Sequence, residues 1–388
     1  MCYRIAYFLR SRHFKICKGR IYEIKTYEDS KVHCMMYSGR TVIVESDGGS
    51  KMFTLPKAAV WEPDPGDIYV ERGLLDTQGL LAAVKTVANY SVDAVLSFYH
   101  EERTIETDGF VKHQRMGFYV LQFQENSRFY IYADYVPEKL KELCIFHMLP
   151  HRVVFPNNLP ILLSPNVVGH IFHEWVHLLE LDFLGYETAL SIKNLPIFGE
   201  CVDLQIFEDP KAETIGFNAF NDDARITRQI PIVEQGRIVG FIDSSAYPCH
   251  YLGCGYLGYN NSAFPIPRTT NLVIQARPIV YESERALVIT ELDLELLNKD
   301  PVSTRIRIKN CEGVYIERGM PIYRVNWKVG IETTVQELVC SMIFLNSSNI
   351  HLTVVGGICV KNGIAVRSAQ SAPPVLLDGL LGKSLLPR

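Results

Sequence analysis

The chain has 388 residues, 47% of them hydrophobic and 21% charged, and its 39 Lys and Arg against 43 Asp and Glu leave a net charge of −4. That length supports a large core and two or three domains, and the charge balance gives no electrostatic case for a nucleic-acid partner or an anionic membrane. No apolar stretch is long enough to span a bilayer, and Met1 to Lys15 carries Arg4, Arg10 and Arg12 without the layout of a signal peptide, so a cytoplasmic protein is expected. The ten cysteines form no C-x-x-C pair, which speaks against a zinc ribbon or a thioredoxin motif; most are expected as buried thiols.

Taken in order, Ile21 to Lys25, Lys31 to Tyr37, Thr41 to Glu45 and Lys51 to Leu55 read as short strands separated by turn residues such as Ser38-Gly39 and Asp47-Gly48-Gly49. Residues 62 to 67 make a loop, and a helix is predicted over Thr77 to Asn89 with Asp76 as its N-cap. Ala94 to His100, Phe110 to Phe123 and Ser127 to Asp134 are predicted strands, and Pro137 to Phe146 a short helix. Leu159 to Leu163 is a brief apolar run that leads into Ser164, a good N-cap, and Pro165, whose missing N–H costs nothing at the first helical position. Beyond that helix, Cys201 to Phe207, a hairpin turning at Gln235-Gly236, and Leu272 to Gln275 are β, with a Gly/Tyr/Asn-rich loop over Tyr251 to Asn261. From Leu287 onward the chain is mostly strand, including Arg305 to Lys309, Gly313 to Glu317 and Ile322 to Trp327. The fold class is α+β. An N-terminal α/β-sandwich-like domain (1–155) and a mainly antiparallel β domain (156–388) are expected, with the helix from Ser164 between them.

That helix carries His173-Glu174-Trp175-Val176-His177, an H-E-x-x-H pentapeptide. Histidines four apart stand one turn above each other on the same helix face, so both imidazoles can reach one metal. The neighbouring Glu174 can then accept a proton from a water on that metal. A bare match also arises by chance on surface helices. Here Ile171, Phe172, Trp175, Val176, Leu178, Leu179 and Leu181 surround the polar residues, so the helix should be buried. Buried histidines need partners, and a metal would satisfy them. His170, one turn earlier on that face, suits a supporting place better than that of a fourth ligand.

Four segments together resemble the TldD/PmbA family of metallopeptidases. They are the run from Leu159 through His173-Glu174 and His177 to Phe183; Glu234 to Phe241; Phe264-Pro265-Ile266-Pro267-Arg268-Thr269-Thr270-Asn271; and Gly356-Gly357-Ile358-Cys359-Val360-Lys361-Asn362-Gly363. They occur in the family's order and cover roughly residues 92 to 380, with a shortened N-terminal part. The resemblance implies a metal held by His173, His177 and Cys359, with Glu174 as general base. Such a ligand set suits zinc, with iron as the competitor, and leaves a fourth position for water. The family usually spaces its histidines as H-E-x-x-x-H; this chain has one residue fewer, a spacing that suits a regular helix. The resemblance further implies a dimer, either of two copies or with a related subunit, and extended or unfolded peptide substrates held by backbone pairing. Asn260, Arg268 and Asn271, in the Tyr251 to Asn261 loop and the Pro265 to Asn271 segment, are candidates for lining that groove; a long turn packed by its own tyrosines is the alternative. Two other readings stay open: a zincin whose third ligand is Glu187 or Glu200, and a non-catalytic subunit, against which the retained histidines argue.

Overall fold

Residues 2–38, 41–46, 49–54, 64–74, 76–125, 128–134, 139–152, 159–199, 203–243, 255–256, 266–346, 356–361 and 364–378 are described by a computed structural model of the chain. In them the protein is α+β. Its first sheet runs Gly49–Thr54, Thr41–Ser46, Arg20–Ser38, Cys2–Cys17, Ala94–Thr107, Val111–Glu125, Ile68–Arg72, with Arg128–Asp134 pairing along the far half of Val111–Glu125. The order starts from a hairpin whose two-residue turn, Lys18-Gly19, has φ of 49° and 78°. Positive φ at both central residues matches the twist of the flanking strands. Gln235-Gly236 and Arg318-Gly319 close two further hairpins in the same way.

The two short strands expected at Ile21 to Lys25 and Lys31 to Tyr37 are one strand, paired from Arg20 to Met36 with Cys2–Cys17. Glu28-Asp29-Ser30 reads as a break in isolation. In the sheet, Glu28 lies opposite Arg10 and pairs with it at 3.0 Å, so the polar stretch is held in the ladder. The helix over Thr77–Asn89 starts where its cap predicts, with Asp76 Oδ1 accepting from Gly79 N at 2.7 Å. It packs with the helix Lys139–Met148 on one face of this sheet, burying Leu80, Val84, Val87, Leu140 and Leu143 against Phe14, Ile16, Leu96 and Phe123.

The other described residues form two six-stranded sheets and a two-stranded pair, Gly255–Tyr256 with Ile266–Pro267, besides their helices. One six-stranded sheet runs Arg237–Ile238, Ile230–Glu234, Gln205–Glu208, Asn271–Gln275, Ile364–Ser371, Gly357–Lys361; the other runs Met320–Thr334, Arg305–Glu317, Arg285–Leu296, Ile161–Leu163, Val375–Leu377, Met342–Phe344. Pairing is antiparallel except at Asn271–Gln275 with Ile364–Ser371 and at Ile161–Leu163 with Arg285–Leu296. The motif helix, Pro165–Val176, leaves the second of these sheets at Leu163 and packs against both. That position explains its composition: Val168, Phe172, Trp175 and Val176 are fully buried in the main core, each aliphatic or Phe side chain contributing roughly 2 kcal/mol of burial. A short helix with no sequence expectation, Val335–Cys340, is set by a capping box between Thr334 and Glu337. Among the described residues no helix is long and apolar enough to cross a membrane. Cys144 and Cys311 are buried, but Cys17, Cys34 and Cys359 are half-buried and Cys340 exposed.

Candidate metal centre

Ser164 caps the motif helix as its sequence predicts, its Oγ accepting from Val167 N, with Pro165 first in the helix. The α-helix ends at Val176, and His177–Leu179 continue as one tighter 3₁₀ turn. Glu180 then leaves the helix in extended conformation. His173 and His177 remain one turn apart on the same side, so the short spacing operates in regular helix up to the second histidine. Gly169 permits this helix to lie close to the strand Ile364–Ser371: a Cβ at Gly169 would stand 2.5 Å from Gln370 Cβ.

Opposite the two histidines stands Cys359, on the edge strand Gly357–Lys361. His173 Nε2 and His177 Nε2 are 3.0 Å apart, and Cys359 Sγ is 3.4 Å from the first and 3.2 Å from the second. Among the described residues this is the one group of three His, Cys, Asp or Glu side chains whose donor atoms all lie within 4.8 Å of each other. Tetrahedral zinc, at about 2.0–2.1 Å from nitrogen and 2.3 Å from sulfur, separates its donors by roughly 3.3–3.6 Å. The donor set therefore fits such an ion to within a few tenths of an ångström. These side chains open onto a cleft of about 580 Å³, whose walls include Glu174, His170, Phe183, Lys299 and Gly356–Val360. Glu174 is half-buried and makes no hydrogen bond or ion pair among the described residues.

Each donor is oriented from behind. His177 Nδ1 lies 2.9 Å from Glu180 Oε1, which turns the Nδ1–H toward the carboxylate and the Nε2 toward the other donors. Glu180 is fully buried; it also accepts from Thr269 N at 3.1 Å and is ion-paired to Lys361, which reaches Asp182 at 2.7 Å as well. The Gln370 side-chain amide meets His173 Nδ1 at 3.1 Å. The atom in contact is Gln370 Nε2, which also donates to Ser368 Oγ at 3.2 Å; only a flip of this amide would place its oxygen there to accept an Nδ1–H and leave His173 Nε2 a lone pair. Arg268 donates to Cys359 through one guanidinium nitrogen, to the carbonyl oxygen at 3.0 Å and to Sγ at 3.1 Å. Burial, reinforced by the nearby charges of His177, His170 and Arg268, holds the His173 pKa well below its ordinary value. Burial also pulls on His177, but Glu180 and Cys359 outweigh it and push its pKa up to about 10. The pair thus carries one positive charge, on His177.

The model of the PmbA/TldA metallopeptidase C-terminal domain matches residues 156–381. The chain belongs to the TldD/PmbA family. No curated protein matches it. Among solved structures it is similar to TldE from Thermococcus kodakarensis, at 13% identity over 97% of this chain and 95% of that one, with a TM-score of 0.65. It is similar also to a proposed modulator of a DNA gyrase from Thermotoga maritima, at 13% identity over 97% and 95% with a TM-score of 0.62, and to another from Bacteroides thetaiotaomicron, at 12% identity over 97% and 93% with a TM-score of 0.60. At such identities these likenesses show the fold.

The TldD/PmbA chain brings His173, His177, Cys359 and Glu174 to one place. Arg268 and Asn271, expected on a peptide groove, are instead interior, at 0% and 1% exposure. Arg268 points at Cys359, and Asn271 bonds Thr214 and the Ala212 carbonyl. Neither stands on the cleft wall. Asn260 lies outside the described residues, as does most of the Tyr251 to Asn261 loop. Glu187 is exposed on the helix Tyr186–Ile192 and away from the three donors; Glu200 is outside the described residues. Sequence reasoning assigned no role to Glu180, Lys361 or Gln370. A second buried carboxylate, Glu208, was also missed: it accepts from Thr270 N, Thr270 Oγ1 and Asn271 N at 2.7 to 2.8 Å. Burial outweighs these bonds and pushes its pKa up to about 7.

The charged state of His177 sets a pH dependence for this TldD/PmbA centre. Metal ligation needs a neutral imidazole. Below a pKa of about 10 the His177 proton must leave as the ion enters. Apparent zinc affinity should therefore fall by about tenfold for each pH unit on acidification, for this proton alone. Competition titration with a chelator of known affinity at three pH values checks this; a flat profile contradicts it.

Proposed function

We propose that the chain is a metal-dependent peptidase that hydrolyses extended or unfolded peptides, with zinc as its ion and iron as the competitor. The observation that carries this reading is the convergence of two imidazoles and a thiol beside an uncommitted carboxylate on one open cleft. His173, His177 and Cys359 would hold the ion, which when bound supplies polarisation of a carbonyl and a more acidic water. Glu174 accepts the proton of the attacking water and returns it to the leaving amine nitrogen. Glu180 keeps His177 in the tautomer that presents Nε2, and Gln370 fixes the His173 ring through Nδ1. Arg268 faces the sulfur from the interior, so its part is to position Cys359 rather than to touch substrate. Asn271 likewise acts through the backbone it anchors.

The strand Gly357–Lys361 ends its sheet, with Ile358 and Val360 exposed at 44% and 65%. Ala133 N bonds Gly356 O at the start of its outer edge; the stretch beyond, which has no strand partner among the described residues, suits backbone pairing with an extended chain and supports a peptide substrate. A dimer with a second copy or a related subunit goes with the family. The assembled donor set argues against a purely non-catalytic subunit. Metal analysis of wild-type protein beside Cys359→Ala tests the reading. About one transition-metal ion per chain is expected in the wild type and a large loss in the variant. Metal retained in Cys359→Ala would favour a glutamate as third ligand.

A further inference from the structure

The strands Arg285–Leu296 and Arg305–Glu317 are joined by residues 297–304, a loop tied from within and from the motif helix. Asn298 Oδ1 accepts from Arg305 N at 2.6 Å and its Nδ2 donates to Ser303 O at 2.8 Å. The Asp300 carboxylate accepts from Val302 N at 2.9 Å and Ser303 Oγ at 2.5 Å, and Thr304 Oγ1 donates to Asp300 O at 2.7 Å. From outside, the Trp175 indole of the motif helix donates to Pro301 O at 2.9 Å, and Gln336 Nε2 to Val302 O at 2.6 Å. The loop therefore sits in fixed register with the helix that carries His173 and His177.

Lys299 projects from this platform onto the cleft wall, its Nζ 5.4 Å from the centre of the Phe183 ring. It has no ion pair among the described residues. The adjacent Asp300 is committed to its own loop, and Lys361, the other lysine of the cleft, is held by Glu180 and Asp182. Lys299 thus rests over the Phe183 ring with no carboxylate partner among the described residues, beside Leu178 and Leu296. Lys299 is exposed to solvent, and the apolar surface of Leu178, Phe183 and Leu296 beside it offers contact to the aliphatic part of a bound residue.

We propose that Lys299 is a specificity-determining residue that selects substrates presenting a carboxylate, from an acidic side chain or from the chain's own C-terminus, at the Phe183–Leu296 side of the cleft. The proposal rests on the peptidase reading of the centre, since it names what that centre would cut. An ammonium and a carboxylate make a charge-assisted bond that a neutral amide cannot match.

The test uses full-length, metal-loaded protein and a set of unstructured peptides differing at single positions as Glu, Gln or Lys, each made with a free or an amidated C-terminus. kcat/KM is measured for wild type, Lys299→Gln and Lys299→Glu. Binding to the Glu174→Gln protein, with and without Lys299→Gln, is measured by titration calorimetry, which needs no turnover. Carboxylate-bearing peptides should be favoured by about threefold, as for a solvent-exposed ion pair, with the preference lost in Lys299→Gln, reversed in Lys299→Glu, and reduced by salt. Metal content should not change. Loss of the preference on amidation assigns it to the C-terminus; its persistence assigns it to a side chain. Equal values for Glu, Gln and amidated peptides, or an unchanged preference in Lys299→Gln, overturn the proposal. Peptides that bind without being cut refute the peptidase reading while the binding series still decides this one, and peptides that neither bind nor are cut overturn both.

Discussion

Glu174→Gln should cut peptide hydrolysis by about two orders of magnitude or more while the protein keeps its metal. The amide preserves the shape of the side chain and removes its capacity to take a proton. Glu174 lines the cleft beside His173 and has no partner among the described residues, so no structural bond is broken by the change. Stability should therefore stay within about 0.5 kcal/mol of wild type, as for a substitution away from any network. The measurement pairs kcat with metal content and thermal unfolding of the same preparation. Loss of metal together with activity would make Glu174 a ligand, and unchanged activity would remove it from the chemistry.

Glu180→Gln should have the opposite signature, weakening the fold and the metal site together. Glu180 is fully buried, and its two oxygens serve His177, Thr269 and Lys361 at once. Glutamine keeps one acceptor for the imidazole and the backbone N–H. Its amino group then faces the Lys361 ammonium, donor against donor, and this half-buried positive charge loses one of its two carboxylates. Breaking a buried pair from one side is costly, and about 3 kcal/mol is expected here. Metal affinity, corrected for the proton that His177 must release, should drop by about 10- to 100-fold, because His177 loses the anion that orients it and raises its basicity. Denaturant unfolding of metal-free protein gives the first quantity and chelator competition the second. Adding Lys361→Met to Glu180→Gln should recover part of the stability, since the stranded charge goes, but none of the metal affinity. A variant with wild-type values for both would show that the Glu180–His177 contact at 2.9 Å carries no energy.

Local chemistry made several elements legible before any fold was known. Asp76, Ser164-Pro165 and Gln235-Gly236 each act within a few residues of themselves, by capping an N–H or by accepting positive φ, and each starts or turns an element where expected. The H-E-x-x-H pentapeptide belongs to the same class, because a helix alone puts its histidines on one face. Cys359 does not. Nothing near it in the chain separates it from nine other cysteines, and it was named through a family resemblance.

The single long strands Arg20–Ser38 and Arg305–Glu317 were read as broken because their polar middles look like turns; cross-strand partners distant in sequence hold them in the ladder.

Arg268 shows the same limit from the other side. It was a candidate for lining the peptide groove as part of the Pro265 to Asn271 segment, yet tertiary packing turns it inward onto Cys359, 91 residues away. Residue order therefore determined the helix, its caps and the spacing of two ligands, since those interactions are local. The third ligand, and the carboxylate, amide and guanidinium that orient all three, were decided only by the parallel pairing of Asn271–Gln275 with Ile364–Ser371 and by the packing of the motif helix against that sheet. A carboxylate three residues past a histidine reads the same whether it faces water or an imidazole; burial alone makes the difference, and burial is a property of the whole fold.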